Sequence, residues 1–305
     1  MVVKLQRRTL IGLAAGACGV GISGWATGQP VQEVLSKTVP SSGEKLPVIG
    51  LGSWITFNVG DDAMARRGCA EVMRHFFAGG GRLIDSSPMY GSSQPVIGEA
   101  LARLDATGTV FSADKVWTSG DGAAQVAASR AYWRVSDFDL LQVHNLLAWR
   151  TQLPLLFERK RAGQLRYVGV TTSDGRRHGE LEAIMLAHPL DFVQLTYNIL
   201  DRAVEQRILP LARERGIAVI ANRPFREGAL IRALERKRLP AWAAEIDCAN
   251  WAQFLLKFIV SHPQLTCAIP ATSQVAHVRE NMGAARGRLP DAGIRTRMAS
   301  LVAAM

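Results

Sequence analysis

The sequence lacks the cysteine pattern that a zinc site or a disulfide framework requires. It contains four cysteines, and no two of them have CxxC spacing. Cys69 and Cys267 lie in apolar stretches and are predicted to be small core residues. A disulfide between Cys248 and Cys267 stays open as an alternative in an oxidising compartment. The cysteine usage therefore predicts no metal centre.

A phosphate-binding glycine loop and a nucleic-acid-binding surface are also missing. The glycines at 79–81 come before an apolar run, whereas a G-x-G-x-x-G loop has to follow a first strand. The formal net charge is +10, but no basic run has interleaved aromatic residues. This charge predicts a solvated basic surface or a site for an anionic cofactor, and no nucleic-acid partner. The chain also has no internal repeat and no low-complexity tract.

The N-terminal apolar run is short and is weakened by glycine. Residues 1–8 are basic and contain Arg7 and Arg8, and residues 10–26 are rich in glycine and alanine. This arrangement resembles a twin-arginine (Tat) export signal, which the Tat export machinery reads as an address. We predict a signal peptide at 1–28, a linker at 29–45 and a periplasmic location. The alternative is an uncleaved membrane tether, although 17 residues are marginal for spanning a bilayer.

Eight apolar, strand-like runs alternate with helical patterns over residues 46–305. The strands are predicted at 46–54, 82–86, 110–117, 139–144, 166–171, 191–197, 217–222 and 266–270. Several of these runs are apolar throughout, which is typical of parallel strands covered on both faces. The helical stretches between them include 62–79, 203–215 and 241–262. Eight alternations favour a closed α/β barrel, the (β/α)8 TIM barrel, over an open sheet.

Four polar side chains occur where three neighbouring strands end. Asp85 ends the second strand and Tyr90 follows five residues later, while Lys115 and His144 lie near the ends of the third and fourth. These ends converge on one rim of a barrel. A lysine cation is expected to lower the pKa of a tyrosine from about 10, and an aspartate keeps that lysine charged. With a histidine that donates to a carbonyl oxygen, the set predicts proton delivery to a carbonyl, with hydride from a cofactor.

The runs GLGSW, LIDSSPMYG, FSADKVW, LLQVHN, YVGVTTS, VQLTYN and AIPATS…RENMGAA resemble, in order, the landmarks of the aldo-keto reductase family. The resemblance covers about 46–285. It implies a (β/α)8 barrel that reduces aldehydes or ketones to alcohols with NADPH, with NADH as the alternative cofactor. It places the catalytic tetrad on Asp85, Tyr90, Lys115 and His144, with Tyr90 as the proton donor.

The resemblance also implies a cofactor site after strands five to eight, with some departures from the family pattern. Thr172 stands where the family has an asparagine, and Asn222 stands where it commonly has a stacking tyrosine. Ala271 and His277 occupy positions where it often has cations, which weakens a preference for NADPH over NADH, although Arg279 lies nearby. The predicted cofactor contacts are Thr171, Thr172, Gln194, Asn222, Arg223, Phe225, Gly228, Thr272, His277, Glu280 and Asn281.

The substrate is predicted to be a small carbonyl compound bound by an apolar set. The expected lining residues are Trp54, Met89 and Trp117, with Leu146 and Leu147. A second hypothesis is an exported, non-catalytic or cofactor-sensing accessory barrel. It follows from the departures on the cofactor side and from the scarcity of free NADPH outside the cytoplasm. A stable membrane partner is expected only if the signal is not cleaved.

Overall fold

The computed structural model describes residues 33–305, so the predicted signal at 1–28 lies outside the described residues. The strands are β1 (Ser36–Thr38), β2 (Lys45–Pro47), β3 (Leu51–Gly52), β4 (Leu83–Asp85), β5 (Phe111–Val116), β6 (Phe138–Val143), β7 (Leu165–Thr171), β8 (Phe192–Thr196), β9 (Ala218–Asn222) and β10 (Cys267–Ala268). The helices are α1 (Ala63–Ala78), α2 (Ser93–Leu104), α3 (Gly122–Trp133), α4 (Trp149–Arg161), α5 (His178–Ala187), α6 (Ile208–Glu214), α7 (Ala229–Leu234), α8 (Trp251–Val260), α9 (Val275–Gly283) and α10 (Ala292–Ala303). Short 3-10 helices span His144–Leu146, Ala203–Glu205 and Ala241–Ile246.

Strands β3 to β10 form one parallel sheet in sequence order. Parallel bridges from Ile49 to Ala268 and from Gly52 to Ala271 join the two outer strands. A Cβ atom on Gly52 would lie 2.9 Å from the carbonyl oxygen of Ile269, so this close approach requires glycine. The prediction of a (β/α)8 barrel is therefore confirmed.

The helices begin and end as local chemistry directs. At α1, the Asp62 carboxylate caps the first turn by accepting hydrogen bonds from the amides of Met64 and Ala65. Two stretches predicted as continuous helices are divided. The stretch 203–215 splits into a 3-10 turn and α6, and 241–262 splits where Asp247 adopts a left-handed φ of 50°. That conformation ends a helix, which periodicity alone does not indicate.

An antiparallel hairpin, β1 paired with β2, closes the base of the barrel. Its Val39 and Leu46 are fully buried and join the side chains that fill the barrel interior. Those interior residues are Leu83, Phe111, Ala113, Leu140, Tyr167, Phe192, Ala218, Ile220, Cys267 and Ile269. The segment predicted as a linker, 29–45, thus contains the first strand and the turn of this hairpin. The reason is tertiary, because Val39 covers the open end of the barrel.

A polar network fastens the hairpin to the barrel. The Tyr167 hydroxyl lies 2.8 Å from Glu44 Oε2 and 2.6 Å from Ser42 Oγ. Glu44 also accepts from the Arg166 guanidinium and lies 3.3 Å from that of Arg82. One carboxylate of the hairpin therefore bridges two strand ends at the base of the barrel.

The opposite end of the barrel carries polar side chains from several strands. Within residues 33–305, no helix is long and apolar enough to cross a membrane. In the same range, no cluster of histidine, cysteine and acidic residues could hold a metal ion.

Candidate active site

The carboxyl ends of three adjacent strands bring the predicted tetrad together. Asp85 is the last residue of β4, Lys115 is the penultimate residue of β5, and His144 directly follows β6. Tyr90 lies in the loop between β4 and α2. Parallel strands end on the same rim, so residues distant in sequence meet there.

Lys115 is the centre of the site. Its ammonium donates to Asp85 Oδ2 at 2.6 Å and to the Ser86 carbonyl at 2.8 Å. It also lies 5.0 Å from the ring centroid of Tyr90. Lys115 and Asp85 are almost fully buried, so the ion pair is shielded from bulk water. Burial would lower the pKa of Lys115, but Asp85 and Tyr90 outweigh that effect and raise it.

Tyr90 departs from the expectation that its pKa would be lowered. Burial raises the pKa of the phenol, and the nearby Lys115 cation offsets only part of that increase. Burial wins because it penalises the phenolate directly, while Asp85 partly cancels the lysine charge. Tyr90 therefore holds its proton at neutral pH, which is the form that a proton donor needs.

His144 packs edge-on against Tyr90, with ring centroids 5.6 Å apart. Burial, with a smaller contribution from the Lys115 charge, lowers the pKa of His144 to about 2. The imidazole is therefore neutral and carries one N–H hydrogen. Its Nδ1 atom is 2.8 Å from the hydroxyl oxygen of Ser87. This leaves the second ring nitrogen as the atom available to a ligand.

A cavity of about 340 Å³ opens beside Tyr90 and His144. Its lining combines side-chain amides, such as those of Gln194 and Asn222, with apolar groups such as Trp54, a composition that suits a flat ring with a carboxamide. The lining comprises Gly52, Ser53, Trp54, Ile55, Thr56, Asp85, Met89, Tyr90, His144, Asn145, Thr171, Ser173, Gln194, Asn222, Arg223, Pro224, Phe225, Glu227, Gly228, Ile269 and Ala271. A nicotinamide ring therefore fits this chain's own residues.

Two of the amide side chains that line the cavity come from β8 and β9. Gln194 Nε2 donates to Asp85 Oδ1 at 2.7 Å, which ties the cofactor side of the cavity to the tetrad. Asn222 Nδ2 donates to the Thr172 carbonyl at 3.0 Å, and Asn222 Oδ1 accepts from Thr196 Oγ1 at 2.7 Å. Both predicted amides thus lie in the cavity, held by neighbouring strands.

Only one of the two threonines predicted to contact the cofactor at the end of β7 lines the cavity. Thr171 lines the cavity, but Thr172 does not, and its buried Oγ1 has no hydrogen-bond partner among the described residues. Ser173 lines the cavity instead and donates to Asn145 Oδ1 at 3.1 Å. The alternation of side chains in an extended chain puts residues 171 and 173 on one side, so this signal was available.

Asn145 is a second residue that the sequence analysis missed. It follows His144 with a left-handed φ of 50°, a conformation that asparagine tolerates. Its main-chain N–H donates to Thr171 Oγ1 at 2.9 Å. An asparagine next to a strand-end histidine is the only sequence signal for it.

Arg223 lies across the mouth of the cavity. Its guanidinium pairs with the carboxylates of Asp174 and Glu227 and lies 5.6 Å from the ring centroid of Trp54. The residue itself is left-handed, with φ of 50°. Phe225 and Gly228 of the same loop line the cavity as well. The described partners of the Arg223 charge are therefore two carboxylates of the rim.

The predicted adenosine-end residues lie on the next segment, outside the cavity lining. Thr272 lies before α9, and its Oγ1 atom is 3.4 Å from His277 Nδ1. His277, Glu280 and the buried Asn281 lie on α9. Arg279 turns toward α1, where its guanidinium is 3.1 Å from His75 Nε2. The Arg279 guanidinium is thus directed to α1 and not to Thr272.

Two of the predicted substrate residues reach the cavity. Trp54 and Met89 line it. Trp117 does not line it; its main chain is hydrogen-bonded to the Gln125 side chain, and the residue is 41% exposed. Leu146 packs in the outer hydrophobic core instead of the cavity.

Comparison with known proteins is consistent with this geometry. The sequence profile of the Aldo/keto reductase family matches residues 48–299. The chain belongs to the aldo/keto reductase family. It is 30% identical over 259 residues to the methylglyoxal reductase YeaE of Escherichia coli, covering 80% of this chain and 88% of that protein.

Two further relatives of the aldo/keto reductase family illustrate the range of similarity. An NADH-specific methylglyoxal reductase of Escherichia coli is 25% identical over 304 residues, covering 80% of this chain and 91% of that protein. An aldo/keto reductase from Klebsiella pneumoniae, solved with NADP and acetate, superposes with a TM-score of 0.73 at 22% identity, covering 88% of this chain and 96% of that one.

Family membership confirms the predicted activity class. The protein is an NAD(P)H-dependent oxidoreductase that reduces carbonyl groups. The cofactor of this activity class is NADPH or NADH, the two that were predicted. The hypothesis of a non-catalytic accessory barrel gains no support from these matches.

Proposed function

We propose that this reductase acts on small aldehydes and 1,2-dicarbonyl compounds such as methylglyoxal, with Tyr90 as the proton donor. One observation carries the assignment: Tyr90 and a neutral His144 face one cavity while the Asp85–Lys115 pair lies beneath them. The two relatives named as methylglyoxal reductases support the substrate class. The modest volume of the cavity agrees with a small substrate.

The chemistry follows from the charges of the site. When bound, the nicotinamide cofactor supplies the hydride. Gln194, Asn222 and Ser173 are the residues that would hold its carboxamide. An alkoxide is a stronger base than a phenolate, so Tyr90 can give up its proton as charge develops on the carbonyl oxygen. Lys115 then stabilises the phenolate, and the His144 N–H donates to the same oxygen.

Replacing Tyr90 with phenylalanine tests the proton donor. Tyr90→Phe is expected to lower kcat by about 10²–10⁴-fold, the usual contribution of general acid catalysis, while the protein stays folded. The assay follows NADPH or NADH oxidation with methylglyoxal and simple aldehydes. Tyr167→Phe is the matched control, because it removes a phenol hydroxyl at the opposite end of the barrel. Full activity of Tyr90→Phe would exclude the proposed role.

A preference for NADH is the second part of the proposal. Arg279 is directed to His75, and Arg223 is paired with two carboxylates, so neither adds a free cation near Ala271. We expect kcat/KM with NADH to equal or exceed that with NADPH. Ala271→Lys should move the ratio toward NADPH, since it adds a cation for a 2′-phosphate. A wild-type preference for NADPH of more than about 10-fold would contradict this.

Export to the periplasm is the third part. It is supported by Arg7 and Arg8 before the glycine-rich apolar run. Conversion of both to lysine should leave the chain in the cytoplasm, as read by cell fractionation. Conversion of Arg66 and Arg67, an arginine pair in α1, to lysine is the control. Recovery of the unaltered chain in the membrane fraction would favour a tether.

A further inference from the structure

Ser87 lies directly behind His144, outside the lining of the cavity. Its side chain is fully buried in the loop that follows β4. The hydroxyl oxygen is 2.8 Å from His144 Nδ1. The same oxygen accepts a hydrogen bond from the amide N–H of Met89 at 3.2 Å. Ser87 thus joins the loop that carries Tyr90 to His144, which lies 57 residues later in the chain and directly after β6.

The hydrogen-bond partners decide which of the two atoms donates. A serine hydroxyl has one hydrogen and two lone pairs, and the Met89 amide occupies one lone pair. If Nδ1 carried the imidazole hydrogen, it would take the second lone pair. The Ser87 hydrogen would then point to no acceptor, since the described chain offers this hydroxyl no other hydrogen-bonding partner. A buried unsatisfied donor costs about 1–3 kcal/mol.

We propose that Ser87 is a positioning residue that donates to Nδ1 and so fixes the imidazole hydrogen of His144 on Nε2. A neutral imidazole has one N–H, so its tautomer decides whether the nitrogen facing the ligand donates or accepts. A carbonyl oxygen needs a donor at that point. Without the Ser87 hydroxyl both tautomers become accessible, and one of them presents a lone pair to the carbonyl. This inference rests on the role proposed above for His144.

The tautomer can be read directly in the wild-type protein. Long-range ¹H–¹⁵N correlation spectra distinguish a protonated from an unprotonated nitrogen in each of the six histidines. The His144 signals are assigned by their absence in His144→Gln. We expect Nε2 to be protonated and Nδ1 to be unprotonated between pH 6 and pH 8. Protonation at Nδ1 would overturn the inference without touching the role of Tyr90.

Removing the hydroxyl tests the consequence for catalysis. Ser87→Ala should lower kcat about 10-fold, the value of one hydrogen bond, with little change in the KM for the cofactor. Its His144 spectrum should show loss of the single Nε2–H form. Ser87→Thr retains the hydroxyl and should restore both readouts. An unaltered His144 spectrum together with unaltered kcat in Ser87→Ala would refute the proposal.

Ser129→Ala is the matched control for these measurements. Ser129 is equally buried and accepts a hydrogen bond from Gln94 at 2.9 Å, between α2 and α3. Its loss removes a buried hydroxyl without contact to His144. We expect its His144 spectrum and kcat to match those of the unaltered protein. A comparable loss of kcat in Ser129→Ala would show that Ser87 acts only through general stability.

Discussion

The two ends of the barrel differ in whether their polar side chains are open to a cavity. At the base, the Tyr167 hydroxyl and the Glu44 carboxylate are hydrogen-bonded to each other. The hydroxyl also contacts Ser42, and the carboxylate also accepts from the Arg166 guanidinium. At the rim, Asp85 and Lys115 are likewise hydrogen-bonded to each other. The neighbouring Tyr90 and His144, however, line a cavity. The base network is thus closed within the protein, whereas the rim network leaves two polar rings open to a cavity, the arrangement that the proposed function requires.

The backbone shows the same division. Twelve described residues other than glycine have positive φ, and nine of them lie in loops at the rim: Ile55, Asn145, Leu146, Ala148, Asp174, Arg177, Arg223, Arg226 and Glu227. At the base, the turns use glycine at positions such as Gly43, Gly163 and Gly216. Asp105 and Arg134, which end α2 and α3 at the base, are left-handed too, so left-handed residues with a Cβ atom are more frequent at the rim without being confined to it.

The largest expected effect comes from removing the cation of the rim. Lys115→Met leaves the Asp85 carboxylate buried without its partner, so unfolding free energy should fall by about 3–5 kcal/mol and reductase activity should be lost. Denaturant titration measures the first quantity. Lys160→Met is the comparison, because Lys160 pairs with Asp191 but is 36% exposed. Equal losses in the two variants would contradict the distinction between buried and partly hydrated pairs.

The next effect concerns Asp114, which lies behind Lys115 on the outer side of β5. Burial raises the pKa of this carboxyl to about 7, against the opposing influence of Lys115. The folded protein therefore keeps a proton that the unfolded chain releases above about pH 4, and stability falls as pH rises toward 7. Asp114→Asn should remove this decline and stabilise the protein at pH 8 by at most about 4 kcal/mol.

The measurement for Asp114 is denaturant unfolding at pH 5 and pH 8. Asp105→Asn is a suitable control, since Asp105 is exposed and its left-handed φ of 51° suits asparagine. It should keep the pH dependence of the unaltered protein. If Asp114→Asn also keeps it, the carboxyl is ionised in the folded protein and the expected proton uptake is absent.

The smallest effect is expected at the base. Glu44→Gln keeps a contact to Tyr167 but removes the charge that faces Arg166 and Arg82, so stability should fall by about 1–2 kcal/mol with kcat unchanged. Glu71→Gln breaks an exposed pair with Arg74 and should lower stability less than Glu44→Gln does. A loss of kcat in Glu44→Gln would show that the two ends are coupled.

Much of the barrel could be predicted because its signals are local. Runs such as 139–144 and 191–197 are largely apolar and alternate with helical patterns, which favours parallel strands covered on both faces. Strand ends then place Asp85, Lys115 and His144 on one rim. The hairpin at the base escaped prediction because β1 is three residues long and polar, and its value lies in where Val39 packs.

The cofactor side was harder to predict for a similar reason. The sequence does not tell where a long side chain is directed, so Arg279 was as plausible near Ala271 as beside His75. Arg223 likewise carried no sign of its pairs with Asp174 and Glu227. Such directions depend on which partners the neighbouring loops present.

By itself, the sequence determined the order of the strands, the places of Asp85, Lys115 and His144 at strand ends and the resemblance to the family, because hydrophobic pattern and residue order are properties of the chain. Tertiary structure decided the state of the tetrad. The pKa of Tyr90 is raised, not lowered, because burial outweighs the charge of Lys115. The contact between Ser87 and His144 joins the loops after β4 and β6, which parallel strands of one sheet bring together, and the proposed Nε2–H tautomer of His144 rests on that contact.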